Sequence, residues 1–231
     1  MESIKSQEIK KILFEMGADL CGIATVDRFA DAPEGFHPYD VLPSCKSAVV
    51  FAKAFPTGTL FCSNNMPYTI TRNMLSNELD AMSTKFCALM EKSGITAVPT
   101  GTISHTRLDQ KTGRRRAMVS AKHSAVAAGL GRIGKNTLLI TPEYGNMVWL
   151  NVVLTDYIFE PDDLLQGNPC SDNCTICIDS CPVKALGDPE MDQGACYAFA
   201  FRAIEGEDFS IKCHSCRFLC PNCFGSKNRS I

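Results

Sequence analysis

The sequence has 231 residues, of which 45% are hydrophobic and 21% are charged, a composition typical of a globular chain and not of a disordered one. Its formal net charge of -2 does not favour nucleic acid as a bulk electrostatic partner. No apolar run is long enough to span a bilayer, and residues 1–5 lack the pattern of a secretion signal. We therefore expect a cytoplasmic protein with no membrane partner.

The helical spacing of apolar residues and the position of breaker residues predict the elements of the first half of the chain. In chain order these are a helix over residues 6–16, a buried strand over 20–25, a loop over 27–44, a second strand over 47–54 and a long amphipathic helix over 73–92.

The same reasoning predicts a short strand over residues 95–98, a helix over 120–128 and two strands over 137–140 and 147–154. The segment from Pro142 to Asn146 is a hairpin signal between the last two strands. Pro161, Gly167 and Pro169 then mark a boundary, where the composition changes. We predict one domain over residues 1–160 and a second, cysteine-rich domain over 161–231.

The 13 cysteines are unevenly distributed. Four of them are scattered, and we interpret these as small buried hydrophobic residues: Cys21, Cys45, Cys62 and Cys87. The other nine lie between Cys170 and Cys223. The absence of an export signal and the odd count disfavour a disulfide framework for these nine. Metal ligation in a reducing compartment explains them better.

The crowded cysteines form two runs, Cys170-x3-Cys174-x2-Cys177-x3-Cys181-Pro and Cys213-x2-Cys216-x3-Cys220-Pro. Two-cluster bacterial ferredoxins use C-x2-C-x2-C-x3-C-P, in which the fourth Cys binds the other cluster. The second run lacks a third close Cys, so Cys196 or Cys223 must supply it. Paired cysteines also build zinc sites, but the two C-x3-C-P endings favour two [4Fe–4S] clusters.

The segment from Gly129 to Gly134 matches the G-x-G-x-x-G pattern, and with Lys135 it matches the start of a phosphate-binding loop. Both motifs require a strand before the glycines and a helix after them, whereas the predicted order here is the reverse. Asn136 also stands where a phosphate-binding loop needs Ser or Thr. Nucleotide binding is therefore disfavoured. The glycines either let a ligand approach the backbone closely or form a helix stop followed by a tight turn.

The whole segment over residues 128–140, AGLGRIGKNTLLI, resembles the AGLGWIGKNTLLI stretch of epoxyqueuosine reductases. These are corrinoid-dependent iron–sulfur enzymes related to reductive dehalogenases, and their cysteine-rich region is also similar to the one here. The resemblance implies an α+β chain. A nitroreductase-related α/β domain would hold the corrinoid, here cobalamin, and a ferredoxin-like domain with two [4Fe–4S] clusters would supply it with electrons.

The resemblance also implies which residues bind each cofactor. One cluster would be held by Cys170, Cys174, Cys177 and Cys220. The other would be held by Cys181, Cys196, Cys213 and Cys216, which leaves Cys223 over. The corrinoid side of the first domain would be lined by Gly129, Gly131, Arg132, Gly134, Lys135 and Asn136, with Lys135 as a partner for a carboxamide or phosphate group.

Two further residues are candidates for catalysis. His123, on the helix before the glycines, is interpreted either as an acid or cobalt ligand or as a structural histidine. Tyr144, in the predicted hairpin turn, is either a proton donor or a turn aromatic. A basic patch formed by Lys111 and residues 114–116 either clamps an anionic group or is a solvated loop.

The chain also departs from the family. Arg115 occupies the position that matches the family's acidic proton donor, and the chain stops soon after the clusters, where those enzymes continue into a helical-repeat extension that helps to hold tRNA. We therefore do not expect a tRNA substrate.

Three functional hypotheses remain open. The first is a cobalamin-dependent reductase of a small substrate, supplied by a low-potential donor such as ferredoxin or flavodoxin. The second is a non-catalytic electron-transfer protein, or a reductive activator of a partner corrinoid protein. The third is a zinc-stapled module without redox activity.

Overall fold

The computed structural model describes residues 5–102, 107–108, 110, 115–187, 191–201 and 210–227. The helices are α1 (Ser6–Glu15), α2 (Pro38–Val41), α3 (Met66–Lys92), α4 (Ala121–Ala127), α5 (Ile176–Asp179), α6 (Gln193–Ala200) and α7 (Ser215–Phe218). The strands are β1 (Leu20–Thr25), β2 (Ser47–Ala54), β3 (Ala97–Pro99), β4 (Arg107–Leu108), β5 (Arg115–Arg116), β6 (Arg132–Ile133), β7 (Leu139–Ile140) and β8 (Val148–Thr155). Two 3-10 turns cover Val26–Phe29 and Thr57–Phe61.

The main sheet has four antiparallel strands in the order β1-β2-β8-β3. Side chains alternate along each strand, so Val49 and Phe51 of β2 face α1 and α3, whereas Val50 faces α4 on the opposite side. Since helices cover both faces, the central strands carry continuous apolar runs instead of an alternating pattern. The chain therefore has a mixed α/β core, and the predicted strands over residues 20–25 and 47–54 are confirmed.

The long third helix begins earlier than the sequence predicts, at Met66 instead of residue 73. Pro67 lies in its first turn, where a missing backbone N–H is tolerated. The sequence does not predict these first turns because their apolar residues Met66, Ile70 and Met74 are exposed and do not belong to the buried face of the helix. The predicted loop over residues 27–44 is also partly helical, since it contains the end of the first 3-10 turn and α2.

The predicted hairpin between strands over 137–140 and 147–154 is wrong. β7 pairs with β6, and β8 pairs with β2 and β3. The residues between them do form a tight turn, closed by mutual backbone hydrogen bonds between Thr141 and Gly145. This turn leads the chain from the small β6-β7 ribbon into the central sheet. The sequence therefore predicts the turn correctly, but the strands before and after it do not pair with each other.

The cysteine-rich region packs directly on the sheet domain. Ile211, Cys220 and Cys223 share an apolar cluster with Phe55 and Met147 of the sheet domain. The connection between the two regions is also fixed, because Asp162 forms an ion pair with Lys10 and accepts a hydrogen bond from the backbone N–H of Ile23 at 2.8 Å. Among the described residues, no helix combines the length and apolar character needed to cross a lipid bilayer.

Close approach of α4 to the sheet yields a testable prediction at Gly22. A Cβ atom at this position would lie 2.4 Å from the carbonyl oxygen of Ala128, at the end of α4. We expect Gly22→Ala to lower the free energy of unfolding by about 1–3 kcal/mol, because the helix must move away from the sheet. Urea denaturation measures the change.

Gly58→Ala is the matched control, since a Cβ atom at Gly58 meets nothing within 4 Å. Its effect is expected to stay within about 0.5 kcal/mol. Equal stability of the two variants would contradict the close packing of α4 on β1.

Candidate functional site

Four cysteines from both runs come together at α5. The pKa of the Cys177 thiol is raised first by burial and then by the charges of Cys220, Cys170 and Cys174. The pKa of Cys220 is likewise raised by burial and by Cys170 and Cys174. We call these four residues the first thiol group: Cys170, Cys174, Cys177 and Cys220. The packing of α5 against α7 explains how Cys220 reaches this group from the second run.

The remaining ligand candidates form a second thiol group: Cys181, Cys196, Cys213 and Cys216. Burial raises the pKa of Cys196, and the charges of Cys181 and Cys213 raise it further. The pKa of Cys216 is raised by burial to about 11, although the Arg217 guanidinium opposes this shift. The charges of Cys196 and Cys213 also raise the pKa of Cys216, as does that of Cys177 in the first group, so the two groups lie near each other.

Cys223 lies apart from the second thiol group. It is 1% exposed, packs in the apolar cluster with Phe55 and Met147, and burial raises its pKa to about 12. Of the two residues between which the sequence left the choice open, the structure therefore brings Cys196, and not Cys223, to Cys181 and Cys213.

Backbone N–H groups point at several of the sulfur atoms. Lys135 donates to the Sγ of Cys170 at 3.4 Å, and Ala185 donates to the Sγ of Cys181 at 3.2 Å. Such donors stabilise negative charge on a thiolate. Within the described parts of the chain, no three His, Cys, Asp or Glu side chains converge on the position of a single metal ion. The two groups are thus sets of four neighbouring thiols with hydrogen-bond donors around them.

The glycine stretch packs closely against its own chain. A Cβ atom on Gly129 would lie 2.1 Å from the carbonyl oxygen of Asp163, and one on Gly131 would lie 2.5 Å from that of Ile140. At Gly134 it would lie 2.6 Å from the Ile140 side chain and 3.4 Å from the Sγ of Cys170. The glycines therefore permit close approach of protein segments, and the last of them lies beside the first thiol group.

The polar residues of this stretch bind the cysteine loops. The Lys135 ammonium donates to the carbonyl oxygens of Asp172 and Cys174 at 2.6 and 3.1 Å. The Asn136 side-chain amide donates to the carbonyl oxygen of Cys216 at 3.2 Å. Arg132 is exposed, and its guanidinium donates to the Leu165 carbonyl oxygen at 3.3 Å. Residues 135 and 136 thus contact both thiol groups.

The two catalytic candidates lie on different elements. The His123 ring lies at the surface of α4, with its Nδ1 at 2.7 Å from the Ser120 hydroxyl oxygen. Its pKa is lowered by partial burial and by the charges of Lys122 and Arg116. Tyr144 lies in the turn after β7, where its backbone N–H donates to the Thr141 hydroxyl and the Lys227 ammonium lies 5.4 Å from its ring centre.

The sequence did not identify two cations that act on Cys216, namely Lys122 and Arg217. Arg217 is only 6% exposed, and its guanidinium donates to the carbonyl oxygen of Asn146. Lys122 on α4 donates to the Thr137 carbonyl oxygen at 2.5 Å, and its pKa is lowered by burial and by Arg217. Arg217 directly follows Cys216, so the sequence does indicate a cation close to this thiol. Nothing in the sequence distinguishes Lys122 from a surface lysine.

Two members of the predicted basic patch, at positions 111 and 114, lie outside the described residues. The other two, Arg115 and Arg116, form β5, and the guanidinium of Arg116 lies 5.3 Å from the Phe36 ring centre.

The contrast between exposed and buried thiols predicts their reactivity. Cys62 is exposed, so its interpretation as a buried residue is wrong. Cys21, Cys45, Cys87 and Cys223 are buried and have pKa values raised by burial to between about 11 and about 12. At pH 8 such thiols stay protonated and therefore unreactive. Among the five cysteines outside the two thiol groups, we expect iodoacetamide to modify Cys62 first, as mapped by mass spectrometry. Fast modification of native Cys223 would contradict its burial.

The chain is similar in sequence to curated epoxyqueuosine reductases, although no protein-family profile matches it. It is 26% identical to the Bacillus subtilis enzyme, over 93% of this chain and 62% of that protein. It is 36% identical over 110 residues to the Listeria monocytogenes enzyme, covering 42% of this chain and 28% of the relative. The chain thus spans less than two thirds of the length of these relatives.

Solved structures show the same fold. The epoxyqueuosine reductase of Streptococcus thermophilus matches 94% of this chain with a TM-score of 0.64 and 22% identity, and 65% of its own chain is covered. An epoxyqueuosine reductase solved with an epoxyqueuosine-modified tRNA stem loop gives 0.63 at 24% identity, with 94% of this chain and 64% of that one covered. A catabolic reductive dehalogenase gives 0.71 at 18% identity, with 96% of this chain but 32% of its own covered.

The sequence matches and the fold lead to the same group of proteins. The chain is similar in sequence to epoxyqueuosine reductases, and it shares its fold with them and with reductive dehalogenases.

Proposed function

We propose that this chain is an iron–sulfur oxidoreductase that passes low-potential electrons through two [4Fe–4S] clusters. The observation that carries the proposal is that eight cysteines lie in two adjacent groups of four neighbouring thiols. A cubane cluster takes four Cys ligands, so each group supplies one complete set. One structural neighbour is a reductive dehalogenase with a B12-dependent mechanism, which supports a reductive function for this fold.

The donor set fits these clusters. All eight ligands are cysteines, and backbone N–H groups already point at the sulfur atoms of Cys170 and Cys181. Hydrogen bonds to sulfur and exclusion of water are the means by which a protein tunes a cluster. The proposed ligands of the first cluster are Cys170, Cys174, Cys177 and Cys220, and those of the second are Cys181, Cys196, Cys213 and Cys216. In this proposal, residues 1–160 form the domain that holds the electron acceptor, and residues 161–231 form the domain that binds the clusters.

Cobalamin is the proposed electron acceptor on the strength of the fold, but the glycine stretch does not fit as its cradle. Protein atoms occupy the space beside Gly129, Gly131 and Gly134. The side chains of Lys135 and Asn136 bind the cysteine loops. These residues instead hold the two cluster loops against the sheet domain. No step of the proposed reaction is therefore assigned to a corrinoid held by this stretch.

A second candidate function follows from the same observation. Atoms of the protein itself occupy the space beside the glycines, and Arg115 stands at the position of the family's acidic residue. Both features are compatible with an electron-transfer protein or with a reductive activator of a partner corrinoid protein. In both cases the donor is a reduced ferredoxin or flavodoxin, which loses one electron for each electron gained by a cluster. The acceptor is a small substrate in the first case and a partner protein in the second.

One relative was solved with an epoxyqueuosine-modified tRNA stem loop. The net charge of the chain described here is -2. Two oxidised clusters would make it more acidic by about four charges, since each carries about two negative charges with its thiolates. We therefore propose a substrate other than a nucleic acid.

Electron paramagnetic resonance of the anaerobically reconstituted protein with cob(II)alamin tests the proposal. A changed, base-off cobalt spectrum beside the signals of reduced cubanes is expected if cobalamin is the acceptor. Cubane signals with a cobalt spectrum identical to that of free cob(II)alamin would establish the electron-transfer function instead. Absence of any cubane signal after reconstitution would contradict both.

A further inference from the structure

The short helix α7 carries or adjoins ligand candidates of both thiol groups. It spans Ser215–Phe218, so Cys216 lies within it and Cys220 follows shortly after its end. Cys216 belongs to the second thiol group and Cys220 to the first. An isolated helix of four residues is not stable in water, because too few hydrogen bonds offset the entropy lost in ordering it. The position of α7 is therefore set by its contacts with the rest of the protein.

Asn146 and Arg217 form a reciprocal pair of buried hydrogen bonds. The Asn146 side-chain amide donates to the Arg217 carbonyl oxygen at 3.0 Å, and the Arg217 guanidinium donates to the Asn146 carbonyl oxygen. The two residues are 1% and 6% exposed, so water has little access to these hydrogen bonds. The turn that precedes β8 thus holds α7 through both a side chain and the backbone.

Asn146 also binds the chain that follows Cys220. Its backbone N–H donates to the carbonyl oxygens of Asn222 and Cys223, at 3.2 Å each. The preceding residue packs closely on the same segment, because a Cβ atom on Gly145 would lie 2.4 Å from the Cys223 carbonyl oxygen. The contacts of residue 146 with the chain before and after Cys220 therefore fix the position of this ligand candidate.

A second buried amide binds the neighbouring carbonyl of α7. Asn136 is 2% exposed, and its side-chain N–H donates to the carbonyl oxygen of Cys216 at 3.2 Å. Its side-chain oxygen accepts a hydrogen bond from the Leu138 backbone at 3.1 Å, which holds the amide in this orientation. Asn136 and Asn146 thus bind two consecutive carbonyls of α7, and both belong to the segment of the sheet domain between β6 and β8.

We propose that Asn136 and Asn146 are positioning residues that set the separation of the two clusters by holding α7 in one place. The proposal rests on the two clusters of the proposed function. Groups that hydrogen-bond to the ligand segments without binding the metal orient the ligands. When one electron passes between the clusters, one cluster is oxidised and the other is reduced. The rate of this step falls steeply with distance, so the two amides control how well the clusters are connected.

The test is electron paramagnetic resonance of the fully reduced, reconstituted holoprotein, in the wild type and in Asn146→Leu. Leucine is similar in shape, and the Asn146 side-chain oxygen has no hydrogen-bond partner among the described residues, so the substitution chiefly removes the hydrogen bond to Arg217. Two reduced clusters that lie close together split each other's signals, and Cys220→Ser, expected to lose one cluster, gives the spectrum without this interaction. We expect Asn146→Leu to bind both clusters with a changed splitting, and to release iron to a chelator about tenfold faster.

Two further variants separate positioning from folding. Asn136→Ser keeps a hydroxyl for the Leu138 N–H but is too short to reach the Cys216 carbonyl oxygen, so its splitting is also expected to change. Asn65→Ala is the matched control, because the Asn65 amide also donates to a carbonyl oxygen beside the second cysteine run, that of Lys212, but in an exposed hydrogen bond. Water replaces such a bond, so the splitting and the iron release of Asn65→Ala are expected to match the wild type.

The outcomes distinguish this inference from the function on which it rests. A wild type that binds no iron would contradict the proposed function. Two assembled clusters with the wild-type splitting in both Asn146→Leu and Asn136→Ser would overturn the positioning role and leave the two-cluster proposal intact. Loss of both clusters in both variants, with the fold retained in circular dichroism, would also overturn it, because the amides would then serve iron binding and not spacing. A wild-type spectrum without magnetic interaction would have the same meaning, since the clusters would not be held close together.

Discussion

The contact of residues 135 and 136 with both thiol groups is the constraint on which the site depends. The backbone N–H of Lys135 binds the sulfur of Cys170, and the side chain of Asn136 binds the backbone beside the other group, at Cys216. Asn136 is 2% exposed, so this hydrogen bond is protected from water. A single dipeptide of the sheet domain thus fixes the relative position of the two cysteine loops.

The glycines make this contact sterically accessible. Gly134 brings the backbone within reach of Cys170, and Gly129 lets the end of α4 pack against Asp163. Because α4 is itself held on β1 through Gly22, a continuous series of close contacts leads from the central sheet to the thiols. In this protein a glycine pattern that resembles a nucleotide-binding motif serves the packing of protein against protein.

Charge connects the site to its proposed cofactors. Burial raises the pKa of Cys177, Cys196, Cys216 and Cys220, so these thiols are neutral at pH 7 in the absence of metal. Binding of iron requires and stabilises the thiolates. The negative charge of the second group then appears near Arg217, whose positive charge opposes the increase in the pKa of Cys216. Cofactor assembly and charge compensation are therefore coupled in the proposed holoprotein.

Much of this architecture could be predicted from the sequence, where the signal is local. The strands over residues 20–25 and 47–54 are predicted correctly because both their faces are buried and their apolar runs are continuous. The pairing of β8 with β2 and β3 was missed because it joins residues far apart in the sequence. The start of α3 was missed because exposed Met66 and Ile70 do not follow the core pattern.

The candidate site also contains features that the sequence predicts and features that it does not. The family resemblance implied the membership of the two ligand sets, which stays a prediction, and the structure places Cys220 near Cys170 and Cys177. The hydrogen bond from Lys122 to the Thr137 carbonyl oxygen could not be predicted, because it depends on how α4 packs in the fold and leaves no periodic pattern in the sequence. The internal contacts of the glycine stretch likewise depend on segments distant in the sequence, such as Asp163.

The iron content of two cysteine variants tests the central claim most directly. The wild type is expected to bind about eight iron atoms, since two cubanes contain four each. Cys220→Ser is expected to lose one cluster and about half of this iron, whereas Cys223→Ser, at the buried thiol only a few residues away, is expected to retain both clusters. Loss of a cluster in Cys223→Ser, with full iron content in Cys220→Ser, would contradict the assignment of the thiol groups.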